Sequence, residues 1–335
     1  MTIRIDLKRL IRLILISVIA FPTLLSAQVK VIFDTDFGGD ADDLGALAML
    51  HHFIDKQECE LLAIMSWQLE ENAVAGLDAV NRYYQHPDTP IASRKGSMHF
   101  TDWNHSKPIA DHFGSTLTTQ DVPDATNLYR SVLANAADKE VVIITVGPLK
   151  NIQDLLESKP DSISELSGSE LVHQKVKEFV IMGGQFPTGE SEWNFNGNMP
   201  GVTEYVLDKI KVPVTFSGYE IGLGIKTGEI FNSIDQNSPL YIGYKHFSKN
   251  ASWINQNYKG KILDNATYDQ TAVLYAIRGG IGTLWDRVEG GYCQPDKTGG
   301  NQWIAGSKSH HSYLRLKASN EEMAELIENL MLGRF

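Results

Sequence analysis

Short apolar runs that end in a turn, each neighboured by an amphipathic stretch, recur along this chain and restrict its possible folds more than any other feature. "VKVIF" (29–33) and "ELLAIMSW" (60–67) open the series, and "VVIITVG" (141–147), "EFVIMGG" (178–184) and "VPVTFSG" (212–218) continue it. Helical spacing of apolar residues marks "AVAGLDAVNRYYQH" (73–86), "ATNLYRSVLANAA" (125–137), "PLKNIQDLLES" (148–158) and "GVTEYVLDKI" (201–210). Strands without polar alternation are buried on both faces, so the expected fold is α/β, with a mostly parallel central sheet covered by helices on both sides. With 335 residues, 42% of them hydrophobic, the chain can bury a large core. No linker, repeat or low-complexity segment divides it, and residues 28–335 are expected to form one domain. Beyond about residue 220 the pattern is weaker, with "YDQTAVLYAIR" (268–278) and "EEMAELIENLM" (321–331) reading as helices.

The first 27 residues stand apart. Arg4, Lys8, Arg9 and Arg12 precede an apolar run from Leu13 to Phe21, and small residues follow at Ser26 and Ala27. That order describes a secretory signal peptide over 1–27, and the run is shorter than the about 20 residues of a membrane span. The mature chain is thus expected to be exported, periplasmic or secreted, with no membrane span. Removing four of 30 basic and one of 41 acidic residues leaves 26 against 40, a charge near −14. Such a surface disfavours nucleic acid and suits a small ligand or a cation. Cys59 and Cys293 are compatible with either a disulfide or two buried thiols.

At the end of the first strand, "DTDFGGDADD" places five aspartates in ten positions. Like charges at this density repel, and withdrawing them from water calls for a cationic partner. Three readings compete. A helix-loop-helix calcium loop fails, because Gly38 and Gly45 occupy its fifth and twelfth positions and a strand precedes it. An aspartyl-phosphate nucleophile at Asp34 lacks the threonine its pattern requires, since Gly38 stands there. A hard-cation site on the first loop of an α/β sheet needs only carboxylate oxygens and a flexible backbone, and both are present. Some of these acids also suit the positive end of the helix that follows.

"DTDFGGDADDLGALAML" resembles the first-loop signature of the inosine-uridine preferring nucleoside hydrolases, in a form with two extra loop residues. "ITVGPLKNI", "VIMGG", "EWNFN" and "YDQTAVLYA" extend the likeness in order and spacing. The resemblance implies an α/β fold, one bound calcium ion (Ca2+), and hydrolysis of the N-glycosidic bond of ribonucleosides, or a related riboside, to ribose and free base. It places the metal ligands on Asp36, Asp43, Asp269 and the Val146 carbonyl. It makes Asp36 the general base toward a metal-bound water, ahead of an oxocarbenium-like transition state. Sugar contacts fall on Asp42, Glu192 and Asn194, with Asn72 or Gln68 supplying a further one. It also implies dimers or tetramers of the chain.

The likeness breaks around the leaving group. Tyr268 stands where the family carries a proton-donating histidine, and a phenol is a poorer acid near neutrality. His99, Trp103 and His105 are the remaining residues that could serve there, while Trp67, Trp193 and Tyr268 suit either base stacking or core packing. Adjacent His310 and His311 point to opposite faces of a strand and share no site. Two alternatives therefore accompany hydrolysis: a riboside-binding protein that keeps the metal and sugar site without catalysis, and a metal-dependent phosphohydrolase.

Overall fold

The β-branched and apolar runs do form a parallel sheet. The computed structural model describes residues 28–67, 70–96, 101–306 and 309–335; the expected leader over 1–27, Gln68 and His99 lie outside them. The strands of the main sheet are β1 (Val29–Thr35), β2 (Cys59–Ser66), β3 (Ile91–Ser93), β4 (Val141–Thr145), β5 (Val176–Met182), β6 (Val214–Ser217), β7 (Trp285–Val288) and β8 (His311–Leu316). Their order is β7-β8-β6-β5-β4-β1-β2-β3, parallel except at the β7 edge, which runs antiparallel to β8. A smaller antiparallel sheet joins Gly291–Pro295, Asn301–Ala305 and Thr188–Gly189.

Alternation along the strands divides the core in two. Val31 and Phe33 of β1 pack on one face with Val142 and Ile144 of β4, while Ile32, Val141 and Ile143 pack on the other. Helices α1 (Asp42–Asp55) and α3 (Asp269–Arg278), with Asn320–Met331, cover the first face. Ala125–Asn135, Lys150–Glu157 and Val202–Lys209 cover the second. A four-residue helix, α2 (Trp193–Asn196), lies in the β5–β6 connection. Cys59 belongs to the first face and Cys293 to the second, and both are free and buried, so the two thiols do not pair.

One feature of this topology positions the site. From β1 the chain moves outward through β2 and β3 on one side and through β4, β5 and β6 on the other. Loops leaving β1 and β4 therefore diverge to opposite sides and open a crevice at the carboxyl ends of the strands, where ligands of open α/β sheets bind. Among the described residues no helix is long and apolar enough to cross a membrane.

Candidate active site

A cleft of about 820 Å³ occupies that crevice. Residues just beyond successive strands line it: Asp36 after β1, Trp67 after β2, Arg94 after β3, Val146 after β4, Tyr219 after β6. Its acidic floor comes from two helix starts. Asp42 and Asp43 open α1 and Asp269 opens α3, and carboxylate oxygens of the three lie within 4.8 Å of one another. The N-cap residues of both helices, Ala41 and Tyr268, form no side-chain cap, and Asp42 instead accepts from the Asp269 amide at 3.4 Å. Helix dipoles thus draw the acids inward, but two such ends do not neutralise three carboxylates.

The electrostatics of this floor are severe. Burial first, then mutual repulsion, holds Asp42, Asp43 and Asp269 well above the usual carboxylate range. Burial also pushes Asp36 and Asp40 up to about 6. Asp43 accepts from the Thr35 hydroxyl, and no lysine or arginine among the described residues forms an ion pair with the three. A hard divalent cation fits this donor set. All the donors are oxygens, and two ligands on opposite sides of a calcium ion stand about 5 Å apart, close to the spacing found.

Asp36, Val146, Glu192, Asn194 and Tyr268, singled out in the sequence, line the same cleft. Asp36 faces the cleft and accepts the Trp193 indole N–H at 3.0 Å. The Val146 carbonyl accepts from Asn194 Nδ2 at 2.8 Å, so α2 is tied to the end of β4. Glu192 caps α2, taking amides of Asn194 and Phe195 at 3.0 and 3.1 Å and that of Gly184 at 2.9 Å; burial raises it to about 7. Tyr268 stacks on Tyr219 with ring centroids 5.2 Å apart, and burial followed by its neighbour raises its phenol above the ordinary value. Gly147 lets β4 close on the first loop, because a Cβ there would stand 2.9 Å from the Asp36 backbone nitrogen.

Other expectations land elsewhere. Asn72 precedes helix Ala73–Tyr83, donates its amide to Glu70 at 2.8 Å, and is not on the cleft wall. Asp34 is buried beneath the loop, where its oxygens accept from Tyr129 at 2.7 Å and Asn151 at 3.1 Å, so it does not present a nucleophile to the cleft. Burial pushes it up to about 7. His105 is sealed behind the loop against Phe37 and is not a cleft residue. Trp67, Trp103 and Trp193 line the cleft, joined by Trp253 and Tyr219, which the sequence did not single out.

The profile of the inosine-uridine preferring nucleoside hydrolase family matches residues 31–302. The chain belongs to this family. As a nucleoside hydrolase it is an enzyme that cleaves N-glycosyl bonds, and the first-loop signature, the α/β fold and the match agree with one another. Among solved structures, the plant nucleoside hydrolase PpNRh1 superposes with a TM-score of 0.66 at 17% identity, covering 90% of this chain and 98% of that one. The purine-preferring ribonucleoside hydrolase from Gardnerella vaginalis gives 0.66 at 15%, covering 91% and 99%. The type III effector XopQ, complexed with adenosine diphosphate ribose, gives 0.63 at 13%, covering 92% and 94%. These identities establish the shared fold. No curated protein sequence matches the chain significantly.

Proposed function

We propose that this nucleoside hydrolase is an exported, calcium-dependent N-glycosidase that releases free base from ribonucleosides or a related riboside. The observation that carries the reading is the convergence of Asp42, Asp43 and Asp269 on the floor of an aromatic-walled cleft. Asp43 and Asp269, with Asp36 and the carbonyl of Val146, residues that line the same cavity, would hold the ion. When bound, such an ion acidifies water and orients sugar hydroxyls. Asp36 serves as the general base for the attacking water, and the Trp193 N–H keeps its carboxylate aimed into the cleft. Asp42, Glu192 and Asn194 are assigned to the ribose, whose developing positive charge their negative and carbonyl oxygens favour. Tyr268 donates a hydrogen bond to the departing base. Its raised pKa makes it a poor proton donor near neutrality.

A second reading, riboside binding without turnover, draws on two observations. Tyr268 occupies the proton donor's place, and the chain shares its fold with XopQ, an effector complexed with adenosine diphosphate ribose. One experiment separates the two readings. Reducing-sugar release by the mature chain, from residue 28, is followed against purine and pyrimidine ribonucleosides with calcium present and then chelated. Release that stops on chelation supports hydrolysis. Calcium binding without release from any nucleoside favours the binding reading.

A further inference from the structure

One wall of the cleft carries donors that no described residue satisfies. Arg94 follows β3, with its guanidinium 4.8 Å from the centroid of the Trp67 ring. Among the described residues Arg94 forms no ion pair, its buried Nε has no acceptor, and Nη1 meets only the Met199 sulfur at 3.7 Å. The Trp67 indole N–H is likewise buried without an acceptor among the described residues. Buried unsatisfied donors are costly, and a guanidinium without an ion pair on a cavity wall calls for an acceptor-rich occupant.

The acids whose field reaches Arg94 do not supply one. Asp34 takes its bonds from Tyr129 and Asn151, and Asp154 pairs with Lys150. A guanidinium fork matches the oxygens of a phosphate or carboxylate. Arg94 also lies two strand positions from the β1 loop, roughly 10 Å across the sheet, so its partner is a group of the ligand remote from the acidic floor.

We propose that Arg94 and Trp67 form an anion-binding corner of the cleft, so that the riboside taken by the enzyme carries a phosphate or carboxylate. This rests on the N-glycosidase reading above. The test compares kcat/KM for release of the free base from uridine, uridine 5′-monophosphate and the carboxylated pyrimidine riboside orotidine, with calcium present. One anionic compound is expected to exceed uridine by about ten- to a hundredfold, and which one does so identifies the source of the anion. Arg94→Gln should collapse that ratio toward one, and Arg94→Lys should retain part of it.

No anionic preference, or a preference that survives Arg94→Gln, overturns the proposal and identifies Arg94 as a counter-charge to the acids around it. If none of the three compounds releases its base, the purine and pyrimidine panel above decides the hydrolase reading. Calorimetric binding of the same compounds then decides the corner, with equal binding of all three overturning it. Should Arg94→Gln not fold, the wild-type comparison alone decides.

Discussion

Asp36 and Asp269 are both buried acids on the cleft, yet the site asks different things of them. Asp36→Asn keeps size and the Trp193 contact but removes the base, so kcat should fall by about 10²–10⁴-fold while the urea midpoint stays near wild type. Activity close to wild type in that variant would exclude Asp36 as base. Asp269 lies within the three-carboxylate cluster. Asp269→Asn should relieve repulsion and leave the calcium-free protein as stable or more so, while abolishing the rise in Tm that calcium brings to the wild type. A calcium-induced rise of equal size in both proteins would place the ion elsewhere. Such a rise follows from binding to the folded state alone, and reaches about 2.7 kcal/mol at a hundred times the Kd.

At the scale of elements, the acidic floor exists because α1 and α3 approach closely at their first turns. Gly45 permits it, since a Cβ there would meet Gln270 Nε2 and stand 2.7 Å from Met331 Sδ and 2.8 Å from the Tyr244 hydroxyl. Gly45→Val should cost about 1–3 kcal/mol by overpacking. Because it pushes α3 away from α1, it should also weaken calcium binding, read by calorimetry. A destabilised variant with unchanged calcium affinity would show that helix spacing does not set the cluster. The shortest strand of the main sheet, β3, carries a different lesson. Three residues, Ile91–Ser93, are too few to display a strand period, so Arg94 beyond its end had no local signal to mark it as a cleft residue.

For the molecule as a whole, buried neutral histidines link stability to acid. Burial lowers both His51 and His105 to about 3. An unfolded histidine titrates near 6.5, so between about pH 6.5 and 3 these two groups bind more protons in the unfolded chain and their contribution to stability falls as pH drops, opposite in sign to that of the buried acids. His105 has no hydrogen-bond partner at either ring nitrogen among the described residues, which makes it the cleaner probe. His105→Leu should raise the urea midpoint at pH 5, taken relative to that at pH 7, above the wild-type value. An unchanged ratio would assign acid sensitivity to other groups.

Local chemistry made the strands, the aspartate loop and the α3 start legible, because each is encoded in contiguous residues. Buried parallel strands are unbroken apolar runs, helix starts carry acids, and five aspartates in ten positions point to a cation. Family membership followed from the same short segments. What no segment encodes is which residues from distant loops share a wall. Asn72 follows β2 as a sugar contact would, yet it turns away with its helix, while Trp253 reaches the cleft from a region without clear periodicity. His105 and Asp34 carry catalytic chemistry but are sealed by packing, whereas Arg94 lines the cavity with its Nε unpartnered among the described residues. Those outcomes depend on side-chain direction and on neighbours far along the chain, and the closure of the sheet at the β1–β4 divide decides both.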